Sequence, residues 1–148
     1  MVKLRREDGY ELSDDRDRID LSEVHRWLST DAYWAIGRPL ETMRKAIEGS
    51  EVFGVYLDDD QVAIARVITD GAVFAYLCDV YVDPGHRGRG LGGWLVRTLR
   101  DHYQEHGLRR FLLATNDAHG LYAKHGFVGV EMDRWMECDL RHMQGAQG

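Results

Sequence analysis

Cysteine and long apolar runs are scarce in this chain, and basic residues are fewer than acidic ones. It has two cysteines, Cys78 and Cys138, which form no Cys-x-x-Cys pair, so we expect neither a thiolate zinc site nor a disulfide framework. No apolar run approaches the roughly 20 residues of a membrane span, and the charged N-terminus lacks the apolar stretch of a signal peptide. These absences predict a protein of the reducing cytoplasm with no membrane partner.

The charge balance of the chain is acidic. Twenty-five acidic residues against nineteen basic ones leave a formal net charge of −6 at pH 7, which does not favour binding to the phosphate backbone of a nucleic acid. A cationic substrate suits this balance better. Because the chain has 148 residues, 44% of them hydrophobic, and no repeat or low-complexity segment, we expect one domain over residues 1–148.

Hydrophobic spacing predicts two helices in the first fifty residues, after a short strand at Tyr10–Leu12. Ser22 is the expected N-cap of the first helix, whose apolar face carries Trp27 and Leu28. Pro39 is expected to open the second helix, because its fixed φ and missing N–H suit the first helical turn.

From residue 52 the hydrophobic period changes to two, which predicts a three-strand antiparallel meander followed by a long amphipathic helix. The predicted elements are strands Val52–Leu57, Gln61–Thr69 and Ala72–Val82, a helix over Leu91–Tyr103 ended by Gly107, a buried parallel strand at Phe111–Ala114, a helix at Ala118–His125, and closing strands at Phe127–Glu131 and Trp135–Leu140. The order β-α-α-β-β-β-α-β-α-β-β predicts an α/β (α+β) fold with a mixed, mostly antiparallel central sheet flanked by helices.

A glycine-rich segment, Asp83-Pro84-Gly85-His86-Arg87-Gly88-Arg89-Gly90-Leu91-Gly92, lies between the last meander strand and the long helix. Glycines let successive backbone N–H groups converge on an anion, and a helix start adds partial positive charge, so a pyrophosphate fits here. The segment lacks both the Gly-Lys-Ser/Thr of a Walker A loop and the Gly-x-Gly-x-x-Gly order of a dinucleotide loop. An ordinary strand-to-helix turn is the alternative without a ligand.

Two motifs of this chain resemble those of the GNAT-type N-acetyltransferase superfamily. Arg87-Gly88-Arg89-Gly90-Leu91-Gly92, preceded by Val82-Asp83-Pro84, resembles the acetyl-CoA pyrophosphate loop of that family. The segment Ala118–Phe127 resembles its second motif, Ala-x-x-Leu-Tyr-x-Lys-x-Gly-Phe. The resemblance implies a GNAT-like fold and acetyl-CoA as cosubstrate.

The resemblance also implies roles for particular residues. Backbone groups near Val80 and Val82 would bind the pantetheine arm and the acetyl carbonyl. Tyr122 stands at the family's general-acid position and would protonate the departing CoA sulfur, although a packed core tyrosine is the alternative. The family often has Asn seven residues before this tyrosine, where this chain has Thr115 followed by Asn116, so either could contact the pantetheine. The implied cofactor-binding set is Val80, Val82, Arg87, Gly88, Arg89, Gly90, Leu91, Gly92, Thr115 and Asn116.

One carboxylate, Asp79, interrupts the otherwise apolar strand that precedes the glycine loop. A buried carboxylate costs free energy unless it has a partner or a chemical task. Many relatives carry an acidic group near this position that deprotonates the amine through water, which makes Asp79 the candidate base. An ion pair with Arg66 on the neighbouring strand is an equal alternative.

Aromatic residues and histidines complete the candidate list. Tyr33 and Trp34 follow the first helix, in the region that builds the acceptor pocket in this superfamily, and they are the candidate pocket residues. Trp27 lies on the apolar stripe of that helix and is expected in the core. His102 and His106 have a spacing that suits zinc, but no third ligand is evident, so we expect no metal.

The motifs together predict an acetyl-CoA-dependent N-acetyltransferase. The acetyl group would pass directly, in a ternary complex, to the primary amine of a small molecule or peptide. The protein would act as a monomer or homodimer without a nucleic-acid or membrane partner. A catalytically idle acyl-CoA sensor or interaction module of the same fold is the alternative, against which the presence of Tyr122 and Asp79 argues.

Overall fold

The structure, a computed structural model, describes residues 1–141. Its elements in chain order are β1 (Lys3–Arg5), β2 (Tyr10–Ser13), α1 (Leu21–Asp31), α2 (Leu40–Glu48), β3 (Glu51–Leu57), β4 (Asp60–Thr69), β5 (Phe74–Val82), α3 (Leu91–Glu105), β6 (Arg110–Leu112) and α4 (His119–Ala123). Short 3-10 turns at Arg16–Arg18 and Pro84–His86 precede α1 and α3.

The six strands form one sheet in the order β1-β2-β3-β4-β5-β6. All neighbours are antiparallel except β5 and β6, which are parallel. The predicted class, a mixed and mostly antiparallel sheet flanked by helices, is therefore confirmed, as are the meander and the parallel sense of the strand after α3. Among residues 1–141, no helix is long and apolar enough to cross a bilayer.

Two apolar clusters hold the helices on the sheet. One contains the buried face of α3 and inward residues of β2 to β5, and the other joins α1 and α2 to β3, β4 and β5. Trp27 is 2% exposed and stacks on Tyr81 with ring centroids 5.6 Å apart, so its predicted place in the core is confirmed. The helices therefore cover opposite faces of the sheet.

The first residues of α1 and α2 differ slightly from the predicted ones. The Asp20 carboxylate accepts a hydrogen bond from the Glu23 N–H at 3.1 Å, so Asp20 is the N-cap of α1. The prediction that Ser22 caps this helix was wrong by two residues, because aspartate is an equally good cap and the spacing of the apolar face does not distinguish them. Pro39 stands immediately before α2, at its N-cap, instead of opening its first turn.

A β-bulge bends β5 at Asp79. Ile64 pairs with Tyr81 and Arg66 pairs with Cys78, so two residues of β5 lie opposite a single residue of β4. Asp79 has φ +52°, a left-handed conformation that aspartate tolerates better than most residues. The extra residue changes the direction of the strand and of the side chains that follow.

The parallel pair β5–β6 is short. Only 74–76 and 110–112 are paired, and beyond this point the two chains diverge. The second half of β5 therefore has no strand partner on this side within the described part of the chain. This divergence opens the sheet where the candidate site lies.

The predicted closing strands, Phe127–Glu131 and Trp135–Leu140, do not form: no strand follows α4 within residues 1–141. Their alternating apolar residues suggested a buried face, yet Val128 and Met136 are 86% and 99% exposed. The strand at this edge of the sheet, β6, has only three residues, so it offers few backbone groups with which a further strand could pair. Periodicity predicts which side of a strand could be buried, but not whether a partner strand exists.

Candidate active site

A groove of about 970 Å³ occupies the space between the diverging β5 and β6. The second half of β5 forms one wall, and the chain that leads from β6 into α4 forms the opposite one. The start of α3 and the connection between α1 and α2 border its ends. Of the residues singled out from the sequence, the groove is lined by Tyr33, Trp34, Asp79, Val80, Val82, Arg87, Gly88, Gly90, Leu91, Gly92, Thr115, Asn116 and Tyr122.

The glycine loop presents unpaired N–H groups at the start of α3. Gly88 and Gly90 have φ values of +78° and +74°, and Gly90 is the N-cap residue of α3 without a side chain to satisfy the helix. Within the described chain, the N–H groups of residues 88–93 have no protein acceptor. By contrast, the Arg87 N–H reaches the Pro84 carbonyl at 3.4 Å. The donor row thus begins one residue later than the loop motif suggests.

The two arginines of the loop bind protein groups. Arg87 donates through Nε to the Val82 carbonyl at 2.9 Å and through Nη2 to Asp31 at 3.3 Å. Arg89 does not line the groove; its Nη1 donates to the Tyr10 hydroxyl at 3.2 Å. The sequence motif could not show this difference, because both arginines are equally close to the loop in the chain.

Tyr122 lies in α4 against the apolar side of the groove. Its ring packs against Phe127 with centroids 5.8 Å apart, and it contacts the same cluster as Val80 and Val82. Burial raises the pKa of the Tyr122 hydroxyl, and the nearby Tyr33 and Asp117 raise it further. The phenol therefore keeps its proton at neutral pH and can donate a hydrogen bond.

Thr115 and Asn116 both reach the groove but differ in their roles. The Thr115 hydroxyl accepts a hydrogen bond from the Ala118 N–H at 3.1 Å and so supports the chain that enters α4. The backbone N–H of Asn116 donates to the Tyr33 hydroxyl at 3.0 Å. This bond joins the wall that leads into α4 to the end of the groove formed by the α1–α2 connection, to which Tyr33 belongs.

Asp79 accepts three hydrogen bonds from side chains. Arg66 Nε and Arg38 Nη1 both donate to Oδ2 at 2.8 Å, and Trp34 Nε1 donates to Oδ1 at 2.7 Å. The residue is only 4% exposed. Burial by itself raises the pKa of Asp79, but the charges and hydrogen bonds of Arg66 and Arg38 outweigh it and hold the pKa below its usual value. The Arg66 ion pair, left open by the sequence, is present, and the carboxylate has little remaining basicity.

Sequence reasoning missed Arg38 and Asp31. Arg38 lies in the connection before α2, where no periodic pattern distinguishes it from its neighbours. The one available signal is that a buried Asp79 carboxylate needs cationic partners, and Arg38 is one of the two that it has. Asp31, at the end of α1, accepts a hydrogen bond from the Tyr81 hydroxyl at 2.5 Å. Burial and this hydrogen bond raise the pKa of Tyr81 to about 12.

His102 and His106, whose spacing suits zinc, lie outside the groove. His102 and His106 stack on α3 with ring centroids 4.3 Å apart. Among the described residues, no three His, Cys, Asp or Glu side chains come together as a metal site.

This chain is similar to proteins described as acetyltransferases. The sequence model of the Acetyltransferase (GNAT) family matches residues 21–127. A Gibberella zeae protein named "Putative acetyltransferase FG08082" is 32% identical over 94% of this chain and 85% of its own length. A GNAT-family crystal structure from Xanthomonas campestris pv. campestris is 46% identical, with a TM-score of 0.83 over 88% of this chain and 92% of that one.

A more distant structure shares the fold. Rv2747 of Mycobacterium tuberculosis, crystallised with CoA and a second ligand, is 21% identical, with a TM-score of 0.67 over 81% of this chain and 72% of that one. The sheet and helices are thus similar at low sequence identity.

Asp79→Asn is expected to lower the free energy of unfolding by about 3 kcal/mol at neutral pH, since removing one partner of a buried ion pair leaves the other charge uncompensated. The folded-state pKa lies below the ordinary value of 3.8, so the stabilisation is complete above that value and declines as the pH falls below it. The difference in the free energy of unfolding between the wild-type protein and Asp79→Asn should therefore decrease below about pH 4. Urea unfolding over a pH series measures it.

Asp59→Asn is the matched control, because it makes the same change at an exposed turn position. We expect its effect to stay within about 0.5 kcal/mol. Equal losses in the two variants, or a gap that persists unchanged in acid, would contradict the role of Asp79 as an ion-pair anchor.

Proposed function

Because the chain belongs to the acetyltransferase (GNAT) family, we propose that it is an N-acetyltransferase that moves the acetyl group of acetyl-CoA to the primary amine of a small molecule or peptide. The observation that carries the proposal is the row of N–H groups at residues 88–93, which have no protein acceptor in the described chain and border the groove. A pyrophosphate would accept from these donors at the positive end of α3. CoA in the crystals of Rv2747 supports the choice of cosubstrate.

The groove suits a thioester arm that extends from this loop. Val80 and Val82 line one side and Leu121 the other, so an aliphatic chain would meet apolar side chains. The second half of β5 lacks a strand partner on this side among the described residues, which leaves backbone groups able to bind amides and to polarise an acetyl carbonyl. Thr115 and Asn116 remain joint candidates for the pantetheine contact.

Direct transfer in a ternary complex is supported by the state of the cysteine in the groove. Among the described lining residues, Cys78 is the only thiol. Burial raises its pKa to about 11, so it is a neutral thiol at physiological pH and a poor nucleophile. We therefore propose that the acceptor amine attacks the thioester without a covalent enzyme intermediate.

The groove also carries groups that suit an amine acceptor. Asp31, Asp117 and Glu137 line it. Asp31 is ion-paired with Arg87, so the negative charge of Asp117 and Glu137 is the part that would favour an ammonium group before it loses its proton. Tyr33 and Trp34 form an edge-to-face pair, 5.0 Å between centroids, and we propose them as walls of the acceptor pocket. Asp79 is proposed as the anchor of this wall, not as the base, because its oxygens already receive three donors.

Mixing the protein with acetyl-CoA and a panel of small primary amines and peptides tests the function. We expect release of free CoA thiol with at least one amine, accompanied by an N-acetyl product in the mass spectrum, and no product with the matched alcohols. Calorimetric binding of acetyl-CoA without thiol release across the whole panel would instead favour the idle acyl-CoA sensor.

Gly90→Val should weaken CoA binding by roughly a hundredfold or more, because a side chain at φ +74° distorts the loop and several charge-assisted hydrogen bonds are lost together. Calorimetric titration with CoA measures the loss. Gly71→Val is the matched control, since Gly71 has a similar φ of +72° with open space around it and lies in the β4–β5 turn. Similar CoA affinities in the two variants would contradict the assignment of the loop.

Tyr122→Phe should lower the turnover number by roughly ten- to a thousandfold with little change in CoA affinity, because a hydrogen-bond donor to the leaving sulfur is lost while the ring remains. Steady-state kinetics with the best amine of the panel measures it. Tyr76→Phe removes another hydroxyl from the groove wall and should leave turnover nearly unchanged. Unaltered turnover in Tyr122→Phe would make Tyr122 a packing residue.

A further inference from the structure

A second, smaller pocket adjoins the glycine loop. Its volume is about 420 Å³. It is lined by Arg6, Gly90, Gly93, Trp94, Arg97 and His125, and is called the basic pocket below. Gly90 and Gly93 line both the basic pocket and the groove, so the two cavities meet at the row of free N–H groups.

The basic pocket concentrates cationic groups in an acidic protein. Its lining contains two arginines and a histidine and no carboxylate, whereas the chain as a whole has a formal charge of −6. Asp8 is ion-paired with Arg6 and offsets part of its charge, and Asp101 is ion-paired with Arg100. Arg97 has no such ion-pair partner within residues 1–141. The local field therefore favours an anion although the overall charge does not.

Arg6 is held in place before any ligand arrives. Its guanidinium lies 5.3 Å from the Trp94 ring centroid, and its Nη2 donates to the Arg89 carbonyl at 2.8 Å. Asp8 accepts from Nε and Nη2. Nη1 has no acceptor among the described residues and lies 3.9 Å from the position a Cβ on Gly90 would take. One donor edge is thus fixed beside the glycine loop.

Arg97 and His125 provide the other side of the basic pocket. Within residues 1–141, neither the Arg97 guanidinium nor the His125 ring has a hydrogen-bond or ion-pair partner. His125 Nε2 lies 3.4 Å from the position of a Cβ on Gly93, which places the ring against the start of α3. Burial lowers the pKa of His125, and the positive charges of Arg100 and Arg97 lower it further. An anion here would relieve this repulsion.

We propose that the basic pocket binds the 3′-phosphate of CoA and makes the protein discriminate CoA from dephospho-CoA. This inference rests on the proposed use of acetyl-CoA. If the pyrophosphate were bound by the N–H groups of residues 88–93 with its pantetheine end in the groove, the ribose at its other end would extend past Gly90 and Gly93, which line both cavities. The phosphomonoester on that ribose is the next anionic group of CoA, and Arg6 Nη1, Arg97 and His125 would be the groups that bind it.

Calorimetric titration with CoA and with dephospho-CoA, in a buffer free of phosphate and sulfate, tests the proposal. We expect the wild-type protein to bind CoA roughly tenfold or more tightly, in the range for charge-assisted hydrogen bonds. Arg97→Gln and His125→Gln should each reduce this preference by weakening CoA alone, with the affinity for dephospho-CoA unchanged. Because Arg97 is exposed on α3, its replacement should not disturb the fold.

Arg44→Gln is the matched control. It removes the same charge from α2, which packs on the opposite face of the sheet, and should retain the full preference for CoA. Equal affinities of the wild-type protein for both ligands would overturn the proposal while leaving the proposed function intact. A loss of affinity for both ligands in Arg97→Gln would also overturn it.

Inorganic phosphate, titrated alone, shows whether the basic pocket takes a free anion instead. We expect inorganic phosphate to bind far more weakly than CoA does. Tight binding of phosphate that is lost in Arg97→Gln, without any preference for CoA, would assign the pocket to a free anion and overturn the inference. If the wild-type protein binds neither CoA nor dephospho-CoA, the proposed function itself fails, and the inference fails with it.

Discussion

The ion-pair network around Asp79 joins the elements that shape the groove. Arg66 connects the carboxylate to β4, while Trp34 and Arg38 connect it to the chain between α1 and α2. The same residue forms the bulge that bends β5, at a φ of +52° that costs an L-residue about 1 kcal/mol. Three charged or polar donors offset that cost, since a buried carboxylate without them would be far more unfavourable. One side chain thus stabilises both the bend of the strand and the aromatic wall beside it.

Because β5 diverges from β6 after three paired residues, a groove lies beside the bent second half of β5. A sheet that stayed paired would bury its backbone groups in the ladder and leave no space for a ligand. Here the pairing stops after three residues of β6, and the start of α3 and the loop before α4 border the opening. The apolar side chains of β5 therefore face a cavity on one side, with a helix start at its end.

Two kinds of donor surround the start of α3, and they differ in what they can recognise. The N–H groups of residues 88–93 are neutral, close together and fixed by the backbone, which suits a pyrophosphate. The basic pocket contributes the Arg97 guanidinium and the remaining donor edge of Arg6, whose Nε and Nη2 bind Asp8, and these charged donors suit a phosphate. Because both arrangements share Gly90 and Gly93, they can act on one ligand. The net charge of the chain is negative, although the groups around the start of α3 favour an anion.

Periodicity and local chemistry explain which sequence predictions succeeded. The meander and the amphipathic α3 depend on local alternation and on a helical stripe, and both formed with small errors at their ends. Ser22 failed as a cap because Asp20 competes by the same chemistry. The closing strands failed because pairing depends on a distant edge that the pattern of 127–140 does not encode.

The sequence by itself determined the order of the main elements, the glycine loop between β5 and α3, and the presence of a charged residue in an apolar strand. These are properties of neighbouring residues, and local propensity and spacing record them. Only the tertiary structure decided that Asp79 is surrounded by Arg38, Arg66 and Trp34, that Arg87 rather than Arg89 borders the groove, and that Arg6, Arg97 and His125 meet in one pocket. Residues so far apart in the chain come together through the packing of α3 and the strands, and no local pattern contains that information.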